Sequence, residues 1–228
     1  MRLETNKKSG GKFSRLFWPL KCYNCGEVVT EGYMCEECLE KILPRTMTID
    51  VPFKENPGGF TETVPVKVIA LNAYSGGWKK SMEEFKFRSA YRMSSGFAWL
   101  SFLTLRELAD IETYDIIGCV PMTEKKRRAR GYNQAELIAR SLSEEADIPY
   151  EPLLRKIKEN RTQHNLSAEE RRLNVIGVYG AGTEKLIENR KIILVDDIIT
   201  TGATLRECCS VLLNAGAAEV LCLCPAYS

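Results

Sequence analysis

Asp196 and Asp197 stand side by side in KIILVDDIITTGATL (Lys191–Leu205), at the end of an apolar run and before a loop of threonines and small residues. Ile192–Val195 is apolar at every position, as a strand buried on both faces must be. Leu205, Cys208, Cys209 and Leu212 then recur at helical offsets and form one stripe. TTGAT therefore joins a strand's carboxyl end to a helix's amino end, where open α/β sheets bind their ligands. Backbone N–H groups and the dipole at such a helix start stabilise an anion. Gly202 and Ala203 let the backbone approach closely, while Thr200, Thr201 and Thr204 add hydroxyl donors. The loop suits a phosphate. Two carboxylates beside a phosphate repel it unless they face something else, and both vicinal ribose hydroxyls and a divalent metal fit. The alternative is structural, with Asp197 capping the turn and Asp196 pairing an arginine. The chain lacks GxxxxGK[ST] and GxGxxG, so the loops that hold nucleoside triphosphates and dinucleotides are not indicated.

A second chemistry lies near the start. CYNCGEVVTEGYMCEEC places Cys22, Cys25, Cys35 and Cys38 as two C-x2-C turns. Each turn aims two thiolates at one point, and together they supply a closed tetrahedral Zn2+ site of structural type. An iron–sulfur centre would use the same thiolates. Disulfides are disfavoured in a reducing cytosol, and a redox C-x2-C would not need a second copy. The remaining five of the nine cysteines lie in apolar sequence as small buried hydrophobes.

Two further segments are rich in cations. In VPMTEKKRRARGYNQAEL, five positive charges fall within Lys125–Arg130. They could contact a diphosphate, contact a nucleic-acid backbone, or simply be solvated. Arg130 and Gly131, beside a helix start at Asn133, are expected to face a ligand. RTQHNLSAEERRLN (Arg161–Asn174) is polar and suits a mobile lid that carries Arg161 over the site. Its His164 is the chain's one histidine, so Ser-His-Asp chemistry has no support.

The elements that must position these residues read as an α/β domain with a mostly parallel sheet. Strands are expected at Val66–Tyr74, Tyr114–Met122, Ile176–Tyr179, Lys191–Val195 and Val220–Cys224. Helices are expected across Trp78–Leu108, with a break near Ser94–Gly96, and at Asn133–Ala146, Ala168–Asn174 and Thr204–Asn214. The organisation implied is a cysteine module over 1–43, a proline-broken connector over 44–66 with one extended piece, and the main domain over 67–228. The 228 residues carry 32 Lys+Arg against 30 Asp+Glu, a net +2 that demands no polyanionic partner. No apolar run reaches the ~18 residues of a membrane span, and the basic start lacks a signal-peptide core. A cytoplasmic protein without stable membrane insertion is expected.

Ile192–Leu205 resembles the phosphoribosyl-diphosphate (PRPP) motif of the type I phosphoribosyltransferases. That resemblance implies ribose hydroxyls on Asp196 and Asp197, and the 5′-phosphate on Thr200, Thr201, Gly202, Ala203 and Thr204. A wider set of segments resembles the ComF family, phosphoribosyltransferase-like proteins linked to DNA uptake in competent bacteria. These are the cysteine knuckle after Phe17-Trp18-Pro19, FKFR at Phe85–Arg88, RGYNQAELIA at Arg130–Ala139, the RTQ–LS–ERR–NV run and the PRPP motif. The likeness runs from about Leu16 to Cys224. It implies a type I phosphoribosyltransferase-like sheet flanked by helices, with a small four-Cys zinc ribbon. It also implies transfer from PRPP to a nitrogen acceptor, with Mg2+, Arg130 and Arg161 on the diphosphate. Partners implied are PRPP, an unidentified acceptor, single-stranded DNA and a competence helicase or ATPase; a non-catalytic PRPP sensor or DNA-handling accessory is the alternative.

Overall fold

The computed structural model describes residues 20–30, 32–55, 61–87, 90–158 and 177–228. In chain order the elements are β1 (Leu20–Lys21), β2 (Val28–Val29), α1 (Glu36–Glu40), β3 (Arg45–Glu55), β4 (Thr61–Ala73), α2 (Gly76–Phe87) and α3 (Ala90–Leu108). There follow β5 (Ile116–Cys119), α4 (Glu124–Arg130), α5 (Gln134–Ala146), β6 (Leu154–Lys156), β7 (Tyr179–Ala181), β8 (Lys191–Val195), β9 (Ile198–Ile199), α6 (Ala203–Asn214) and β10 (Glu219–Tyr227).

The main sheet runs β3-β4-β10-β8-β5, with β9 extending the line of β8 along β10. All pairings are parallel except β3 with β4. The expected parallel sheet flanked by helices is present, and the acid-pair strand lies beside β5. Period-2 alternation divides each strand between two buried layers. Ile69, Leu71, Ile117, Ile193, Val195, Leu221 and Leu223 face α2, α3 and α5. Val66, Val68, Ile116, Ile192, Leu194, Val220 and Cys222 face α6 and the β6–β7 ribbon.

Two elements differ from their expectation. The supposed connector over 44–66 forms most of a long antiparallel hairpin, β3 against β4, at the sheet edge. Pro52 and Pro65 do not break it because of where they fall. Pro52 lies on an edge strand whose outward carbonyls at Asp50 and Pro52 accept from Arg206 Nε and Ser210 Oγ of α6, each at 2.7 Å. Pro65 lies opposite Asp50, before β10 begins to pair. The helical break expected near Ser94–Gly96 is also displaced: α2 ends at Phe87 and α3 starts at Ala90, passing unbroken through Gly96. Gly96 instead makes room for a neighbour, because a methyl there would lie 2.4 Å from the Tyr23 ring and 2.7 Å from that of Tyr33.

Tyr23 and Tyr33 belong to the cysteine knuckle, which is packed onto the main domain. Tyr23 stacks at 5.4 Å on Phe97, and the Tyr23 carbonyl accepts from the Ser81 hydroxyl. Cys22, Met34 and Cys38 join the same buried cluster as Trp78, Phe85 and Phe97. Trp78, 1% exposed, donates from Nε1 to the Pro225 carbonyl at 3.0 Å, tying α2 to the carboxyl end of β10. Among the described residues no helix is long and apolar enough to cross a membrane.

Candidate active site

The acid pair follows β8 directly. The Asp196 N–H donates to the Leu223 carbonyl at 3.0 Å, prolonging the ladder by one bond before the chain turns. The Asp197 N–H then donates to Asp196 Oδ1 at 2.9 Å. The apolar pair Ile198–Ile199 rejoins the sheet as β9 beside Ala226 and Tyr227. The carboxylates thus sit in a two-residue gap in the pairing, between two strand segments that keep one register along β10. Burial, and next the neighbouring Asp197 charge, push the Asp196 carboxyl well above the usual carboxylate range, opposed by Lys156 and Lys86. A carboxylate so placed favours a bound cation or hydrogen-bond donors.

The loop beyond it closes tightly. Gly202 sits at φ 70° as the N-cap of α6, a left-handed conformation that favours glycine. Thr201 Oγ1 accepts from the Ala203 N–H at 3.4 Å, and the Gly202 carbonyl accepts from Arg206 at 2.8 Å. Asp196 and Ile198–Leu205 line one small concavity, so Thr200, Thr201, Gly202, Ala203 and Thr204 share a wall with the first aspartate. Thr204 also meets the Tyr179 hydroxyl of β7. Lys156 of β6 lies over the Tyr179 ring at 5.1 Å. Neither residue is distinguishable in sequence, since the contact joins ordinary residue types from distant segments. The β6–β7 ribbon is pinned to α6 where Gly177 N–H donates to Glu207 Oε1 at 2.6 Å. Arg161, His164, the short helix expected over Ala168–Asn174 and the rest of the segment read as a lid lie outside the described residues.

Beyond the carboxyl end of β5, Thr123 caps α4 by accepting from the Lys126 N–H at 3.2 Å, and Gly131 ends it at φ 86°. Lys125, Lys126, Arg127 and Arg128 are exposed, whereas Arg130 is half-buried and donates to Gln134 Oε1 at 3.3 Å. Asn133 caps α5 by accepting from the Ala135 N–H at 3.2 Å, and donates to the Val120 carbonyl at 3.0 Å. This second bond fixes the start of α5 at the carboxyl end of β5, next to β8. The Tyr132 hydroxyl donates to the Phe85 carbonyl, joining the Arg130–Asn133 turn to the end of α2. Tyr74, just past β4, completes the rim. Burial, the Glu83 carboxylate and the Asp197 charge all raise its hydroxyl.

The four knuckle cysteines converge. Their sulfurs lie within 4.8 Å of one another, with Cys25 and Cys35 3.7 Å apart. Tetrahedral Zn–S bonds of about 2.3 Å place sulfurs about 3.8 Å apart, so the cluster fits one such ion. Asn24 Nδ2 donates to Cys38 Sγ at 3.6 Å, an outer contact of the kind that orients metal ligands. Burial raises the Cys22 thiol, but backbone N–H groups from Cys25, Cys35 and Asn24 outweigh it and bring it to about 7. Cys38 is pushed up to about 12 by burial and then by the adjacent Cys35 thiol.

Residues 129–228 match the phosphoribosyl transferase domain family. The chain is 31% identical over 159 residues to Competence protein F of Haemophilus influenzae, covering 68% of this chain and 69% of that protein. It is 32% identical over 166 residues to Competence protein ComFC of Streptococcus pneumoniae, covering 70% and 67%. A longer match, 26% identical over 210 residues, joins it to the DNA utilization protein YhgH of Escherichia coli, covering 89% of this chain and 83% of that one.

Proposed function

From the premise that the chain belongs to the ComF family, we propose that it binds PRPP with Mg2+ and transfers phosphoribose to a nitrogen acceptor in the service of DNA uptake. The observation that carries this reading is the half-buried acid pair beside a phosphate-sized cradle at the start of α6. Asp196 and Asp197 hold the ribose hydroxyls, while the Thr200–Thr204 loop takes the 5′-phosphate. Arg130, Gly131 and Arg161 serve the diphosphate. In the transfer, the bond from ribose C1 to the diphosphate oxygen breaks and its electron pair leaves with the diphosphate. A bond from C1 to the acceptor nitrogen forms, and that nitrogen loses a proton. Mg2+, for which the acid pair and ligand oxygens are a suitable oxygen set, would offset charge on the departing group. The cysteine knuckle carries structural Zn2+ through Cys22, Cys25, Cys35 and Cys38.

Calorimetric titration with Mg2+–PRPP, followed by a nucleobase and amine screen for diphosphate release, tests this reading. Binding that Asp196→Ala abolishes with the fold intact is expected, with turnover on one acceptor class. No binding of PRPP or diphosphate would overturn the site assignment; binding without turnover on any acceptor would identify a sensor. The exposed cations of α4 favour a second reading, contact with single-stranded DNA alongside the competence machinery. Binding that weakens steeply with salt, and is lost on neutralising Lys125–Arg128, is the outcome expected there.

A further inference from the structure

A bound sugar donor must lie across the sheet's carboxyl edge in one direction. The 5′-phosphate cradle belongs to α6, which packs on one face of the sheet, while α2 and α5 pack on the other. The acid pair follows β8 between the two faces. With the 5′-phosphate at α6 and the ribose hydroxyls on the aspartates, C1 and its diphosphate point toward the α2–α5 face. The sequence offers the basic α4 helix for that diphosphate, yet Lys125, Lys126, Arg127 and Arg128 are exposed and only Arg130 is half-buried.

A different cation stands at that place. The Tyr132–Phe85 hydrogen bond and their rings, 6.3 Å apart, set the last turn of α2 against the Arg130–Asn133 turn. The next residue is Lys86, half-buried, its ammonium 5.6 Å from the Tyr74 ring centre. Tyr74 is fixed at the rim by its own N–H, which donates to the Tyr227 carbonyl at 2.7 Å. Lys86 is close enough to favour the ionised form of Asp196, yet it makes no ion pair among the described residues. Lys156 acts on Asp196 from the opposite, α6 face, beside Tyr179 and the 5′-phosphate cradle. The two lysines therefore mark the two ends of the ligand.

We propose that Lys86 is a diphosphate-binding residue, set by the end of α2 beside the Arg130 turn to hold the leaving group of the sugar donor. The inference rests on the PRPP reading above. A fixed ammonium there meets charge that grows as the C1–oxygen bond breaks, so it serves the transition state as well as binding. The exposed Lys125, Lys126, Arg127 and Arg128 of the basic helix are then not required for the diphosphate.

The test uses the full chain with Mg2+ and three probes: PRPP, inorganic diphosphate and ribose 5-phosphate. Lys86→Met keeps the apolar stem and removes the charge. It is expected to weaken PRPP and diphosphate by about tenfold or more while leaving ribose 5-phosphate unchanged. Lys86→Arg should recover part of the loss, and Lys80→Met, an exposed lysine of the same helix, should change nothing. Unaltered melting and far-ultraviolet dichroism establish that the variants are folded. Equal losses on all three probes, or no loss on the two that carry diphosphate, would overturn the assignment. Failure of the unmodified chain to bind any probe would instead remove the PRPP reading, and this inference with it.

Discussion

At the scale of single residues, the acid pair costs the folded chain stability. Asp196 holds its proton more tightly when folded than when unfolded, because burial and the Asp197 charge raise it well above the usual range. Above the ordinary aspartate range the folded chain binds more protons than the unfolded one, so stability falls as pH rises toward the raised value. Asp196→Asn relieves that cost. It should melt higher near neutrality, by about 2–4 °C per kcal/mol relieved in a chain of this size. The gap should close below the ordinary aspartate range, where both side chains are neutral; scanning calorimetry at the two pH extremes checks this, and a gap that acid does not narrow would refute it. Gly202 carries a different constraint. At φ 70°, with an added methyl 3.4 Å from Ile49 Cγ2, Gly202→Ala should cost about 1–2 kcal/mol in urea unfolding. The aspartates and the loop were legible because they are contiguous and of marked type. Lys156 and Tyr179 were not, since only the pinned β6–β7 ribbon brings them to the acid pair.

At the scale of elements, the misread segments show which signals depend on context. Proline and glycine count as breakers only where the fold needs the missing N–H or the missing side chain. In the β3–β4 hairpin, Pro52 lies on an edge strand where carbonyls alone are used, by Arg206 and Ser210. Gly96 is read correctly as special but for the wrong reason, because the two tyrosine rings it makes room for lie 63 and 73 residues earlier in the chain. Gly77 repeats the lesson more sharply: a methyl there would lie 1.4 Å from the Asn24 carbonyl oxygen, so the knuckle backbone rests directly on α2. Gly77→Ala should therefore lift the knuckle while sparing the sheet. Faster metal release to a chromogenic chelator, with unchanged far-ultraviolet dichroism, is the outcome expected; release at the original rate would show that α2 and the knuckle do not depend on each other.

At the scale of the whole molecule, the question is whether the cysteine module is a separate body. Its sequence suggests one, because 1–43 is compositionally distinct and a knuckle of that size cannot bury a core. The structure supplies that core from elsewhere: Cys22, Met34 and Cys38 pack into the layer formed by Trp78, Phe85, Phe97 and the α5 residues Ile138 and Leu142. Metal ligation contributes about 10–16 kcal/mol to isolated zinc-finger peptides, and with Zn2+ bound as proposed, part of that energy would hold the α2–α3 layer as well as the knuckle. The same α2 carries Trp78 to β10 and Lys86 toward the acid pair. Metal removal is therefore expected to lower one cooperative transition of the entire chain rather than to delete a small independent one. Calorimetry before and after chelation distinguishes the cases: a single peak displaced downward and restored by added Zn2+ supports a shared core, whereas an unmoved main peak would mean that the knuckle only sits on the domain. PRPP affinity measured in the same samples should fall with the metal, because the wall bearing Tyr74 and Lys86 is the part of the site that the knuckle braces.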